Sequence, residues 1–172
     1  LDKNYKVSVS SSSLDQKSSE NMNSLNIEYE AMYLRRHGLN LLGDMRTLYS
    51  LLSVFKRQKP NLSLAHGIKL VIWGGIAARI RNVPFFALIT GLGFAFQGKS
   101  FKRRLLTKLV SILYKVALFN AKAVIFQNKD DAEFLVNWEV VPLSNVRLIR
   151  GSGVDLNIYR NVAEPKGKII VT

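Results

Sequence analysis

The order of short apolar strands and longer amphipathic helices along this chain predicts an α/β domain, built as a doubly wound parallel sheet with helices on both faces. Three observations carry the prediction. The strand-like runs KVSVS, LSLA, PFFALIT, AVIFQ and VRLIR alternate with helical periods. Small or polar residues follow the strands at Ala65-His66-Gly67, Thr90-Gly91-Leu92-Gly93, Gln127-Asn128 and Gly151-Ser152-Gly153, as in a sheet whose strand ends line one cleft. The 172 residues, 48% hydrophobic, suffice for one core and are too few for two of ordinary size.

Taken in order, KVSVS (Lys6 to Ser10) alternates as a strand does, and the polar stretch Ser10 to Ser24 that follows is read as loop. NIEYEAMYL is the next strand. From Leu39 to Lys59, Leu41, Leu42, Met45, Leu48, Leu51, Leu52 and Phe55 recur at helical spacing, and Pro60 marks the stop. LSLA (Leu62 to Ala65) is a short strand, Ile68 to Arg81 a helix, PFFALIT a strand and Phe101 to Phe119 a helix. AVIFQ, a short helix over DDAEFLVNW, and VRLIR complete a Rossmann-like series.

Composition narrows the function. There is no cysteine, which excludes disulfides and thiolate metal sites, and no pair of carboxylates stands at acid/base spacing. No apolar run is long enough to cross a bilayer, and the start carries no secretory signal, so a cytoplasmic setting is expected. A net charge of +13 predicts attraction to phosphates or anionic lipid surfaces. No RNA-recognition or zinc-finger signature accompanies that charge, so no nucleic-acid partner is assigned.

GFAFQGKS, Gly93 to Ser100, fits the phosphate-loop pattern G-x-x-x-x-G-K-[ST] between a strand and a helix, and a phosphate-loop NTPase is the alternative reading. Two features weigh against it. The strand that should end in a magnesium-organising aspartate ends in Gln127 and Asn128, and Phe94 and Phe96 are bulky for a loop that curls around phosphate. On the helix that follows, Lys108, Ser111, Lys115 and Lys122 fall near one line and the rest is apolar. That arrangement suits a buried helix with a narrow solvated edge, the preferred account, or a cationic edge beside a membrane or a pyrophosphate-bearing lipid. His66, between a strand end and Gly67, is placed to donate a hydrogen bond into the cleft, though a lone histidine is as often structural. Gly74-Gly75 inside a helix costs roughly 1 kcal/mol each against alanine, which implies close packing on the sheet rather than chemistry. His37 has no evident partner and no metal site is read.

As one pattern, AHGIKLVIWGGIAARIRNVP, ITGLGFAFQGKSFKRRLL, LYKVALFNAKAVIFQNKDDAEFLV and VRLIRGSGVDLNIYR closely resemble the amino-terminal half of family 4 glycosyltransferases, from about Arg35 to Tyr159. The resemblance implies one half of a GT-B fold, in a retaining enzyme of bacterial polysaccharide or glycan assembly that moves a sugar from a nucleotide carrier to a polyprenyl-diphosphate-linked glycan. It makes His66 the catalytic cleft histidine, and Thr90, Gly91, Gly93, Gln127, Asn128, Ser152 and Gly153 substrate-binding positions. Phe94, Phe96, Lys99, Arg103 and Arg104 become acceptor or membrane contacts. Leu64 departs from the pattern, since many relatives carry a histidine there. No cofactor is implied, a UDP-linked sugar serving as substrate, and the protein is expected at the inner face of the membrane, in peripheral contact with anionic lipid. The family also implies that residues 1–164 form the first domain without its first strand, and that 165–172 begin a nucleotide-sugar domain otherwise outside this sequence. Residues 1–172 alone are therefore expected to be inactive.

Overall fold

A computed structural model describes residues 5–35, 40–93 and 101–160. Among the described residues, six strands and five helices follow one another as β1 (Ser8–Ser11), α1 (Gln16–Ser24), β2 (Glu28–Ala31), α2 (Leu41–Gln58), β3 (Ser63–His66), α3 (Ile68–Arg81), β4 (Phe85–Ile89), α4 (Phe101–Leu118), β5 (Ala121–Phe126), α5 (Lys129–Asn137) and β6 (Val146–Leu148), with a 3-10 turn at Leu143–Asn145. All strand pairs are parallel. This is the Rossmann-like α/β architecture expected from the sequence.

The strands form two ladders, one of β1 and β2 and one in the order β3-β4-β5-β6. What joins the ladders is side-chain packing: Met32, just after β2, is buried with Leu51 and Val54 of α2 and Ala77 of α3. In the larger ladder Ala65, Phe85, Ala87, Ile89, Val124 and Phe126 share a buried cluster with Val71, Ile72 and Ala78 of α3 and Val110, Tyr114 and Leu118 of α4. Burial alternates along β4, as a sheet covered more fully on one face requires. Leu64, on the other parity, is exposed.

Helix boundaries follow local chemistry. Asn40 caps α2 by accepting from Gly43 N at 2.9 Å, and Lys59 ends it in the left-handed region. Asn82 ends α3 in the same way. The stretch read as loop holds α1, a correction with a clear cause. Asp15 accepts from Ser18 N at 2.9 Å and from its hydroxyl at 2.7 Å, and Gln16 bonds Glu20 at 3.0 Å. The helix buries none of its residues, so no apolar period marks it in the sequence.

Two close approaches shape the core. A Cβ on Gly75 would lie 2.5 Å from the carbonyl oxygen of Ala117, so this glycine lets α3 pack against α4 backbone to backbone. Gly74 faces the sheet, with Ala65 Cβ 3.5 Å and a Phe85 ring carbon 3.7 Å from where its Cβ would be. Sheet packing, expected of both glycines, holds for Gly74 alone; Gly75 packs on α4 instead.

Candidate functional site

The carboxyl ends of β3 to β6 bring the predicted positions into one row. His66 is the last residue of β3, opposite Leu88 of β4, and its ring is exposed. Its Nε2 lies 3.5 Å from the Thr90 hydroxyl, the first residue after β4. One strand over, Gln127 N donates to the Ile89 carbonyl at 3.3 Å, and the Gln127 side-chain amide donates to the Ser152 hydroxyl at 2.8 Å. That second bond ties the loop after β5 to the loop after β6. Each polar pair is solvent-facing, which leaves its remaining hydrogen-bonding capacity available to a ligand.

Backbone geometry explains the glycines. Gly67 has φ +86° and ψ 148°, a conformation essentially confined to glycine, and it starts α3 without any side-chain cap. The first amides of α3 are thus left uncapped beside His66, favourable to negative charge there. Gly93 has φ +67°, and a Cβ on it would meet Ile68 Cδ1 at 2.8 Å. Its need for glycine therefore comes from a turn packed on α3 and requires no phosphate. Gly151 and Gly153 also have positive φ and turn the chain after β6. Among the described residues, Gly91 has no neighbour that would exclude a side chain.

Asn128 behaves differently from the other predicted positions. Its carboxamide oxygen accepts from Asp131 N at 2.7 Å and its amide donates to the Asp131 carboxylate at 2.7 Å, so the side chain is committed to capping α5. Phe94, Phe96 and Lys99, with most of the phosphate-loop match, lie outside the described residues, as do the side chain of Arg103, His37 and residues 161–172. Arg104 is exposed on α4.

One pair near the site went unpredicted. Lys69 Nζ, in the first turn of α3, lies 2.6 Å from the Asp44 carboxylate in the first turn of α2, with both side chains largely buried. It fixes the two helix starts to each other beside the row of strand ends. Cavity shape alone points elsewhere: a cavity of about 400 Å³ lined by Arg79, Asn82, Asn120 and Lys122 sits at the amino ends of β4 and β5, opposite the end where open α/β sheets bind ligands.

The structure corrects the reading of α4. Ser111, placed on a solvated line with Lys108 and Lys115, is buried at 5% exposure, while Leu105, Leu109, Ile112 and Val116 are exposed. The helix is apolar on two sides, and only one of them meets the core.

A parallel α/β sheet with small and polar residues gathered at its strand ends defines a Rossmann-like domain. A family model described as "Glycosyl transferase 4-like" matches residues 1–128, and the chain belongs to that family. It is 33% identical over 139 residues to the UDP-Gal:alpha-D-GlcNAc-diphosphoundecaprenol alpha-1,3-galactosyltransferase of Escherichia coli, covering 77% of this chain and 34% of that protein. It is 27% identical over 125 residues to the N,N'-diacetylbacillosaminyl-diphospho-undecaprenol alpha-1,3-N-acetylgalactosaminyltransferase of Campylobacter jejuni, covering 72% and 33%. The chain thus spans about a third of the length of these relatives. Among solved structures, Anabaena HepE in complex with UDP and glucose has a similar fold, at a TM-score of 0.57 and 16% identity over 88% of this chain and 38% of that one.

Proposed function

We propose that this chain is the acceptor-side domain of a retaining glycosyltransferase, which moves a sugar from a UDP-linked donor to a glycan carried on polyprenyl diphosphate at the cytoplasmic face of a membrane. The observation that carries the reading is the row His66, Thr90, Gln127 and Ser152 along adjacent strand ends, in a chain of the glycosyl transferase 4-like family. Both relatives are named for diphospho-undecaprenol glycans and for an alpha-1,3 linkage, which retention from an α-linked nucleotide sugar would produce. The galactosyltransferase's name supplies the UDP donor.

In this reading the described residues orient the reactants. Front-face attack, with the departing diphosphate accepting the proton of the incoming hydroxyl, asks no side chain to act as base, in keeping with a site row free of carboxylates. His66 holds the donor sugar or its phosphates, helped by the uncapped start of α3, and Thr90 orients the ring. Gln127 and Ser152 line the cleft wall. Residues 1–164 form this half, and 165–172 open the nucleotide-binding half. We also place a further parallel strand between β1 and β3, a proposal supported by the break between the two ladders.

The test is transfer of labelled galactose or N-acetylgalactosamine from its UDP carrier to undecaprenyl-diphosphate glycan by the full-length protein. Extractable lipid-linked product with the donor's anomeric configuration is expected. Hydrolysis of ATP or GTP with no glycosyl transfer would overturn the reading.

A further inference from the structure

The cavity at the amino ends of β4 and β5 has no part in the row of strand ends, yet its volume of about 400 Å³ falls within the roughly 300–1,000 Å³ of small-molecule sites. Small side chains make the hollow: Gly75 and Ala78 of α3, Ala117 of α4 and Ala121 of β5 line it, all buried. Around them stand Arg79, Asn82, Asn120 and Lys122, all exposed. Among the described residues no ion pair engages Arg79 or Lys122, and neither the Asn82 nor the Asn120 carboxamide has a hydrogen-bond partner. Arg79 Cζ lies 5.1 Å from the centroid of the Phe119 ring, a cation–π contact that steadies the guanidinium and leaves its N–H edge free.

A second hollow of about 320 Å³ shares Asn82 and Val83 with the first and adds Lys56, Lys59 and Arg81. No carboxylate lines either one. Helices α2, α3 and α4 all end at this side of the sheet, where cations ordinarily offset the helix dipoles. Three such ends amount to about −1.5 charges, so the five lysines and arginines leave a surplus of about three. Neutralising helix ends does not account for the cluster.

We propose that this cavity is a second ligand site, which binds a small water-soluble phosphate ester of the sugar phosphate class. Arg79 and Lys122 take the phosphate, Arg79 through its planar fork and Lys122 as a point charge. Asn82 and Asn120 each present a donor and an acceptor, the pairing that a hydroxyl needs, and the buried alanines meet the carbon skeleton. Lys56, Lys59 and Arg81 draw the anion in from solution. The length of α3, about 21 Å, separates the cavity from Gly67 and the start of the site row. The inference therefore stands apart from the proposed transfer reaction.

The test is calorimetric titration of the full-length protein with fructose 6-phosphate, inorganic phosphate and fructose, with no nucleotide sugar present. Fructose 6-phosphate should bind saturably, phosphate more weakly, and fructose without measurable heat. Arg79→Gln/Lys122→Gln should weaken binding of fructose 6-phosphate at least about tenfold at an unchanged melting temperature. Asn120→Trp, which fills the hollow and leaves the charge as it is, should weaken it as much, and this variant decides the matter if the first is unstable. Lys17→Gln/Lys108→Gln removes the same charge from exposed positions elsewhere and should bind like the unaltered protein, as should His66→Ala, whose change lies in the cleft. Absence of saturable binding, undiminished binding by Asn120→Trp, or an equal loss in Lys17→Gln/Lys108→Gln, the mark of diffuse attraction to net charge, would each overturn the proposal. A loss in His66→Ala alone would move the ligand to the cleft and overturn it too.

Discussion

Adjacent glycines in one helix should respond to alanine with opposite signs. In Gly75→Ala the new Cβ would stand 2.5 Å from the Ala117 carbonyl oxygen, 3.0 Å from its carbon and 3.1 Å from its Cβ. Carbon contacts are comfortable at about 3.5–4.0 Å, so α3 and α4 must part by on the order of 1 Å. The obstacle is backbone, which cannot rotate away. Overpacking of this kind costs about 1–3 kcal/mol, against a helix-propensity gain of about 1 kcal/mol, and the rigid neighbour puts the cost near the upper end. Gly74→Ala meets only ordinary contacts at 3.5 and 3.7 Å and keeps the propensity gain. The two variants should differ by about 2–3 kcal/mol, or roughly 4–12 °C in melting temperature for a domain of this size. Thermal and urea denaturation followed by circular dichroism would measure it. Equal melting temperatures, or a more stable Gly75→Ala, would refute the close approach of α3 and α4.

Two further predictions concern charges. Lys69→Met leaves the buried Asp44 carboxylate unpaired and should destabilise by about 3–5 kcal/mol in urea titrations, while Asp44→Leu/Lys69→Met should recover most of that loss. Glu30 is raised by burial, but bonds from Gln58 and Arg57 and the charge of Arg57 outweigh burial and hold its carboxyl below the usual 4.5. Its contribution to stability is therefore full above about pH 4.5 and is lost as pH falls through the depressed value. Glu30→Gln should flatten the acid limb of the stability profile, with little change at pH 7 in its slope.

How far the sequence could be read depended on what each residue's period was reporting. Ile68–Arg81 is legible, because Gly67 and Asn82 bound it and most of its apolar residues are buried or half-buried, Ile80 excepted. The helix at Gln16–Ser24 was not, since a helix that buries nothing leaves no apolar period, and only Asp15 with Ser18 signals its start. On α4, Ser111 has the polarity of a solvent-facing side chain and is nevertheless buried. A helix with apolar residues on two sides cannot say from sequence which side meets the sheet. The row of strand ends was visible as small and polar residues after strands, which is where the structure puts His66, Thr90, Gln127 and Ser152. Asn128, which the resemblance pairs with Gln127, caps α5 here, and Asn128 followed three residues later by Asp131 is itself a capping pattern. The Asp44 and Lys69 pair joins two helices 25 residues apart, and nothing local announces it.

The proposed function places a cleft at the carboxyl ends of β3 to β6, with His66 as the group that holds the donor. His66 is exposed, and its one side-chain bond among the described residues is the 3.5 Å contact to Thr90, so removing it should leave the fold intact. The most direct measurement is steady-state transfer from UDP-sugar to lipid-linked acceptor by the full-length His66→Ala protein, with its melting temperature as control. A fall in kcat of at least about tenfold at unchanged melting temperature is the predicted result. Unchanged kinetics would remove His66 from the site and contradict the assignment of the cleft.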